Sequence, residues 1–301
     1  MESHAKHLGQ RMQFYLVDVF ADQPLTGNPL AVVPQADALT VGDMQKIAGE
    51  LNQAETTFIV RSPRGADWRL RSFTARGVEV FGAGHNSLGA WWWLAESGTL
   101  ALADGRNAFT QEIGDRLLPV MIESRDGVLQ SVTLTQAPPV FGKRCDDVEA
   151  LAAALGIGTG DVSPGQTVST GAAHLLVPVK DRAAVASVNP NSERLRPILA
   201  DAGAQGCYVY CLDPESREAI AHARFFNPTV GIAEDSATGS AAGPLACQLI
   251  AIGVAREGVA IAIEQGYEMG RPSLLSVRVR GGSVELAGRC VTVASGALRV
   301  R

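Results

Sequence analysis

The residues of this chain that could move a proton or hold an anion gather at a few turns. Glu55 lies in the stretch 52–60, NQAETTFIV, where a helical pattern gives way to a strand-like one. A carboxyl there is either a solvated turn residue or an acid whose pKa burial has raised, the form suited to proton transfer. Residue type alone leaves both open. His85 follows Gly82-Ala83-Gly84, while Glu234 and Asp235 precede Ala237-Thr238-Gly239-Ser240. Each glycine turn leads into a segment without charge, SLGAWWWLA (87–95) and AAGPLACQLIAI (241–252). A helix apolar on all sides must be buried on all sides. Its amino terminus, with unpaired N–H groups and partial positive charge, is then carried inside. Two such ends facing each other would bind a carboxylate, and glycine lets the backbone come close to it. The sequence GAGHNSLG has Ser87 where a dinucleotide fingerprint has its third glycine, so nicotinamide chemistry is not expected. Arg71 and Arg224 are read either as structural ion-pair partners or as ligands of a substrate carboxylate.

The elements that must position these groups alternate in type. Strand character is read at 13–20, 56–60, 67–74, 118–124, 129–136, 173–179, 206–213, 259–266, 274–281 and 283–288. Helical spacing is read at 40–51, opened by a Thr40/Asp43 capping box, and at 147–156. Arg125-Asp126-Gly127 marks a hairpin between two of the strands. Many connections are too short for parallel crossovers, which predicts an α+β fold rich in antiparallel pairs. The segments 71–98 and 223–253 follow one plan: an Arg-bearing aromatic strand, a Gly turn, a short strand, a second Gly turn, a helix. Gly77 precedes Gly231 by 154 residues and Gly84 precedes Gly239 by 155, about half of the 301-residue chain. This predicts a duplicated domain, divided near 137–145, with each half a curved mixed sheet wrapped around one central buried helix. The expected division is 1–137 and 138–301, with the final strand returning to the first half. Pro244 is expected to kink the second central helix or free the carbonyl of Ser240. Trp91, Trp92 and Trp93 are read as core filling and a subunit contact, in preference to ligand stacking.

Composition sets the outer limits. Hydrophobic residues make up 46% and charged residues 19%, which excludes general disorder. A net charge of −5 argues against a nucleic-acid-binding face. No apolar run reaches the roughly 18–20 residues of a membrane span. The first ten residues lack the apolar middle of a signal peptide, and His4 and His7 there are read as a solvated tail, not metal ligands. Five cysteines, Cys145, Cys207, Cys211, Cys247 and Cys290, form no CxxC pair, so neither a disulfide framework nor a zinc knuckle is expected and a reducing cytoplasm is.

The stretches VDVFADQPLTGNPLAVV (17–33), NQAETTFIV (52–60), RSFTARGVEVFGAGHNSLGA (71–90), AEDSATGSAAGPLA (233–246) and QGYEMGRPS (265–273) resemble, in this order, the PhzF family of phenazine-biosynthesis-like isomerases. The resemblance runs from about residue 13 onward. It implies the diaminopimelate-epimerase-like fold, with two pseudo-symmetric halves and the site between them. It places a catalytic glutamate on Glu55, a glycine-histidine pair on Gly84 and His85, an aspartate on Asp235, and a glycine-serine pair on Gly239 and Ser240. It also implies a homodimer and proton transfer within a small carboxylate substrate, with no cofactor and no metal. The sister epimerases use one cysteine per half; here those places fall on Phe81 and Thr238, which cannot serve as a thiol pair.

Four positions depart from the family pattern. Ala54 removes a hydroxyl before the glutamate. Ser236 replaces proline in EDPATGS and is expected to loosen that loop. Asn86 and Ser87 enter GHATLG beside the expected anion site, which puts the phenazine substrate in doubt. The expectation is an isomerase in which Glu55 is the general acid/base, His85 and Asp235 hold polar groups of the substrate, and backbone N–H groups at Gly84, Gly239 and Ser240 receive its carboxylate. A hydroxy-acid dehydratase or one-base epimerase on the same site, and a non-catalytic metabolite-binding protein, are the alternatives.

Overall fold

The computed structural model describes residues 11–300; His4 and His7 lie outside them. The first half of the chain forms β1 (Arg11–Val19), β2 (Asn28–Val33), α1 (Val41–Leu51), β3 (Glu55–Val60), β4 (Trp68–Phe73), β5 (Glu79–Val80), α2 (His85–Glu96), β6 (Gly105–Ile113), β7 (Arg116–Arg125) and β8 (Val128–Gln136). The second forms β9 (Val140–Cys145), α3 (Val148–Leu155), β10 (Gly165–Ser169), β11 (Ala173–Pro178), α4 (Arg182–Ser187), α5 (Ser192–Ala202), β12 (Gly206–Cys211), β13 (Ala221–Asn227), β14 (Ile232–Asp235), α6 (Gly239–Ala251), β15 (Ala260–Gln265), β16 (Ser273–Arg280), β17 (Ser283–Gly288) and β18 (Cys290–Arg299). The fold is α+β, as expected. Among the described residues, no helix is long and apolar enough to cross a membrane.

Strand pairing repeats between the halves. In the first, β1–β2 is antiparallel, β2–β3 parallel, β3–β4 and β4–β5 antiparallel, and β4–β6 parallel. In the second, β10–β11, β11–β12, β12–β13, β13–β14 and β13–β15 repeat those senses in the same order. The two sets join where β8 lies antiparallel to β17. The segment around 140–145 is not a bare linker: it is β9, antiparallel to β10. Its counterpart beside β1 is β18, from the far end of the chain.

The repeat extends to side chains. Arg71 donates from Nε and Nη2 to the two carboxylate oxygens of Glu79, at 2.7 and 2.8 Å. Arg224 does the same to Glu234, both at 2.8 Å, and also donates to the carbonyls of Val185 and Val188. Each guanidinium lies over the phenylalanine two residues on, Phe73 or Phe226. Both arginines therefore serve as structural ion-pair partners, each fixing the short strand that leads to a helix start.

The central helices are buried as their composition requires. Trp91, Trp92 and Trp93 are at most 9% exposed, so they fill the core. The Nε1 of Trp91 donates to Gln111 at 3.0 Å and the ring of Trp93 packs on Tyr15. The second helix runs through Pro244 without interruption. Local signals were accurate where they are complete. The Thr40–Asp43 capping box forms in both directions. In the β7–β8 hairpin, Asp126 and Gly127 both take positive φ, 53° and 73°, as a two-residue turn of matching twist demands.

Candidate active site

Glu55 opens β3 directly after a left-handed Asn52 has ended α1. Alternation along a strand puts Glu55 and Thr57 on one face. The hydroxyl of Thr57 donates to the carbonyl of Asn86 at 3.4 Å and pairs with Ser72 at 2.8 Å, so the start of α2, with His85, lies against this face. Asp235 ends β14 and comes from the other half. Asn28 in β2 holds the two halves together there, its Nδ2 donating to Asp235 Oδ1 at 2.8 Å and to the carbonyl of Ala237 at 2.9 Å.

The electrostatics of this cluster follow from burial. Glu55 is half-buried, but its Oε2 is fully covered and has no hydrogen-bond partner. Desolvation, helped by the nearby charge of Asp235, pushes its pKa up to about 8. Desolvation also raises Asp235, against hydrogen bonds from Thr238 and Asn28, to about 6. His85 is pulled down to about 4 by burial, and its Nε2 is covered and unpartnered. At neutral pH the set is a protonated Glu55, an ionised Asp235 and a neutral His85. Covered polar atoms without partners are costly, and they gather here where a ligand would complete them.

The turn from Asp235 into α6 is tied down from several sides. Thr238 donates from Oγ1 to Asp235 Oδ2 at 2.6 Å. Gln265 donates to the Asp235 carbonyl and to Thr238 Oγ1, and accepts from the Thr238 N–H. The expectation that Ser236 loosens this loop is overturned. Its hydroxyl donates to the Gly27 carbonyl at 3.1 Å and its own carbonyl accepts from Ser273 at 2.9 Å. The α6 start leaves the N–H groups of Gly239 and Ser240 without partners inside the helix.

At the other helix the geometry differs from expectation. The N–H of Gly84 donates to Asn86 Oδ1 at 2.8 Å. The N–H groups with no partner inside α2 are those of His85, Asn86 and Ser87. The side chains of Asn86 and Ser87 point into the fold, to Ser72 and the Gly82 carbonyl and to Gln111 respectively, so neither replacement faces the pocket. Phe81, just before this turn, is exposed.

Asn28 and Gln265 are part of this site and were not singled out from sequence, although they lie inside the motifs TGNP and QGY. His174, which meets Ser240, had no sequence signal. A separate groove of about 350 Å³, bounded by residues such as Phe20, Arg278, Glu285 and Arg289, shares no residue with this cluster. Arg289 and Glu285 there pair with Asp22 and Arg106, which leaves little chemistry in it.

Comparison with known proteins places the chain in a family. The family described as PhzC-PhzF, phenazine biosynthesis-like protein, matches residues 17–296. The trans-2,3-dihydro-3-hydroxyanthranilate isomerase of Pseudomonas aeruginosa is 33% identical over 291 residues, covering 94% of this chain and 98% of that protein. The crystal structure of a phenazine biosynthesis protein of the PhzF family from Bacillus anthracis superposes with a TM-score of 0.88 at 27% identity, over 97% of this chain and all of that one. A hydroxyproline epimerase from Agrobacterium vitis shares the fold, with a TM-score of 0.64 at 16% identity over 96% of this chain and 91% of its own.

Proposed function

The chain belongs to the phenazine biosynthesis-like protein family, which makes it an isomerase, and we propose that it moves a proton within a small carboxylate substrate by general acid/base catalysis at Glu55, without a cofactor. The observation that carries this reading is the covered, unpartnered Oε2 of Glu55, whose pKa stands at about 8 beside an ionised Asp235. An acid held near the working pH can both take and return a proton at low cost. The thiol route of the sister epimerases is closed, because Phe81 and Thr238 stand at its two positions.

In this reading the substrate carboxylate meets the free N–H groups at the starts of α2 and α6, where helix dipoles favour an anion. His85, neutral, and Asp235 hold further polar groups of the substrate. Glu55, once ionised, takes a proton from one carbon of the substrate. The electron pair left behind delocalises toward the bound carboxylate, whose developing charge the same N–H groups stabilise. Glu55 then returns the proton to another carbon of the same face. The name of the Pseudomonas aeruginosa relative makes trans-2,3-dihydro-3-hydroxyanthranilate the first substrate to offer.

The same reading divides the chain into 1–137 and 138–301, with β18 completing the first half. It places the protein in the cytoplasm, supported by five free cysteines, and expects a homodimer, which sedimentation would check. The test of the chemistry is solvent deuterium uptake and change of isomer, read by mass spectrometry and NMR with that substrate, for the parent and Glu55→Gln proteins. Uptake or isomerisation that needs Glu55 supports the proposal. Loss of water points to a dehydratase. Turnover undiminished in Glu55→Gln would remove Glu55 from the mechanism.

A further inference from the structure

Ser240, the second residue of α6, has a partner that the reading above does not use. His174 in β11 is 2% exposed, and its Nε2 lies 3.1 Å from Ser240 Oγ. Its ring meets Phe225 edge-on, with centroids 5.0 Å apart, which fixes its orientation. The other ring nitrogen, Nδ1, is covered and has no partner. A neutral imidazole carries one proton, and two placements exist. With the proton on Nδ1, a buried N–H has no acceptor. With it on Nε2, that N–H donates to Ser240 and only a lone pair on Nδ1 goes unmet, which is the smaller cost. Burial keeps the ring neutral, its pKa lowered to about 4.

We propose that His174 is a positioning residue, donating from Nε2–H to Ser240 Oγ so that the serine must give its own hydroxyl proton to the substrate carboxylate at the start of α6. This rests on the assignment of Ser240 to the substrate site. A serine whose oxygen already accepts one bond has its proton free and polarised outward. The helix end then offers an oriented O–H beside the N–H groups of Gly239 and Ser240. The site would distinguish an acceptor such as a carboxylate from an ammonium at that place, because the ammonium would face only donors.

The test has a part that needs no ligand and a part that does, both on the full chain carrying Glu55→Gln so that a bound probe is not turned over. In the first, imidazole ¹⁵N NMR at pH 7, assigned by loss of signal in His174→Phe, is expected to show a neutral His174 protonated on Nε2. A ring protonated on Nδ1, or on both nitrogens, overturns the proposal. In the second, trans-2,3-dihydro-3-hydroxyanthranilate is titrated calorimetrically into the parent, His174→Phe, Ser240→Ala and the double variant. Each single change is expected to weaken binding about tenfold, and the pair no further. His174→Gln, whose amide can donate in place of Nε2, should recover most of the affinity. Losses that simply add, or an unchanged affinity in His174→Phe, overturn the proposal. Failure of the probe to bind the parent would count against the substrate offered above, while the NMR still decides the role of His174.

Discussion

Glu55 and Asp235, 180 residues apart in the chain, titrate on opposite sides of neutrality, at about 8 and about 6. Asp235 loses its proton first, while Glu55 is still neutral, so of the two it is Glu55 that titrates against the other's charge. Two environments thereby split two carboxyls of similar intrinsic acidity into an ionised partner and a protonated acid.

If the reaction begins with ionised Glu55, kcat/KM should rise with pH and level off above about 8. Glu55→Gln should fold, bind, and lose roughly 10²–10⁴-fold in turnover. A pH–rate profile with its ascending limb below pH 5 would place the essential base elsewhere.

Asp235→Asn should lower the pKa of Glu55, because it removes the one charge that adds to desolvation. The ascending limb then moves to lower pH. The change also sets an amide against the Nδ2 of Asn28 and weakens the link between the halves. The shift in the limb can be read separately from the loss of rate.

Stability should respond to Glu55 as well. The unfolded carboxyl ionises near 4.5, while the folded one holds its proton to about 8. Between those values the folded protein binds more protons than the unfolded one, so the Glu55 contribution falls as pH rises through this window. The melting temperature of Glu55→Gln should exceed that of the parent by a margin that grows from pH 5 to pH 8. A constant margin across that range would mean that Oε2 is better solvated than its surroundings suggest.

His222 should show a loss that sets in at higher pH. It is buried between Glu264 and Glu268, with Nδ1 and Nε2 at 2.6 and 2.9 Å from their carboxylates. Burial pulls its pKa down, but the two hydrogen bonds and charges overcome this and push it up to about 9. Its stabilisation is complete below about 6.5 and is lost as pH rises through about 9. Urea unfolding of the parent and His222→Gln should differ by about 3–5 kcal/mol at pH 6, with the gap closing by pH 10.

The backbone at Gly266 makes a sharp steric demand near the site. It has φ of +84°, and a Cβ there would lie 2.4 Å from the Arg271 carbonyl oxygen and 2.5 Å from that of Ser236. Gly266→Ala should cost about 1–3 kcal/mol or more in denaturant unfolding, because both neighbours are backbone atoms that cannot swing aside.

Much of this was legible in the sequence because the decisive signals are local. Charge-free helices announced their own burial, Asp126-Gly127 announced a hairpin, and the spacing of Gly77 and Gly231 announced the repeat. Residues whose meaning depends on a distant partner were not legible. Arg71 and Arg224 read equally as ligands or as ion-pair partners until Glu79 and Glu234 were seen to pair with them. Asn86 looked like a pocket residue until its amide turned back on Gly84 and Ser72. Ser236 looked loose because its anchors, Gly27 and Ser273, are far away in sequence. His174 carries no pattern at all, and only its meeting with Ser240 gives it a role.

The pairing of β1 with β18 sets an order of events during synthesis. The register joins Arg11 to Arg299, so one side of the first strand waits for a partner made only after β2 to β17. A ribosome that has just released β8 has delivered Glu55, His85 and the first central helix, yet β1 still presents an open edge to its surroundings. The first half is begun first and closed last. That edge is therefore open to aggregation for the whole time taken to translate the second half.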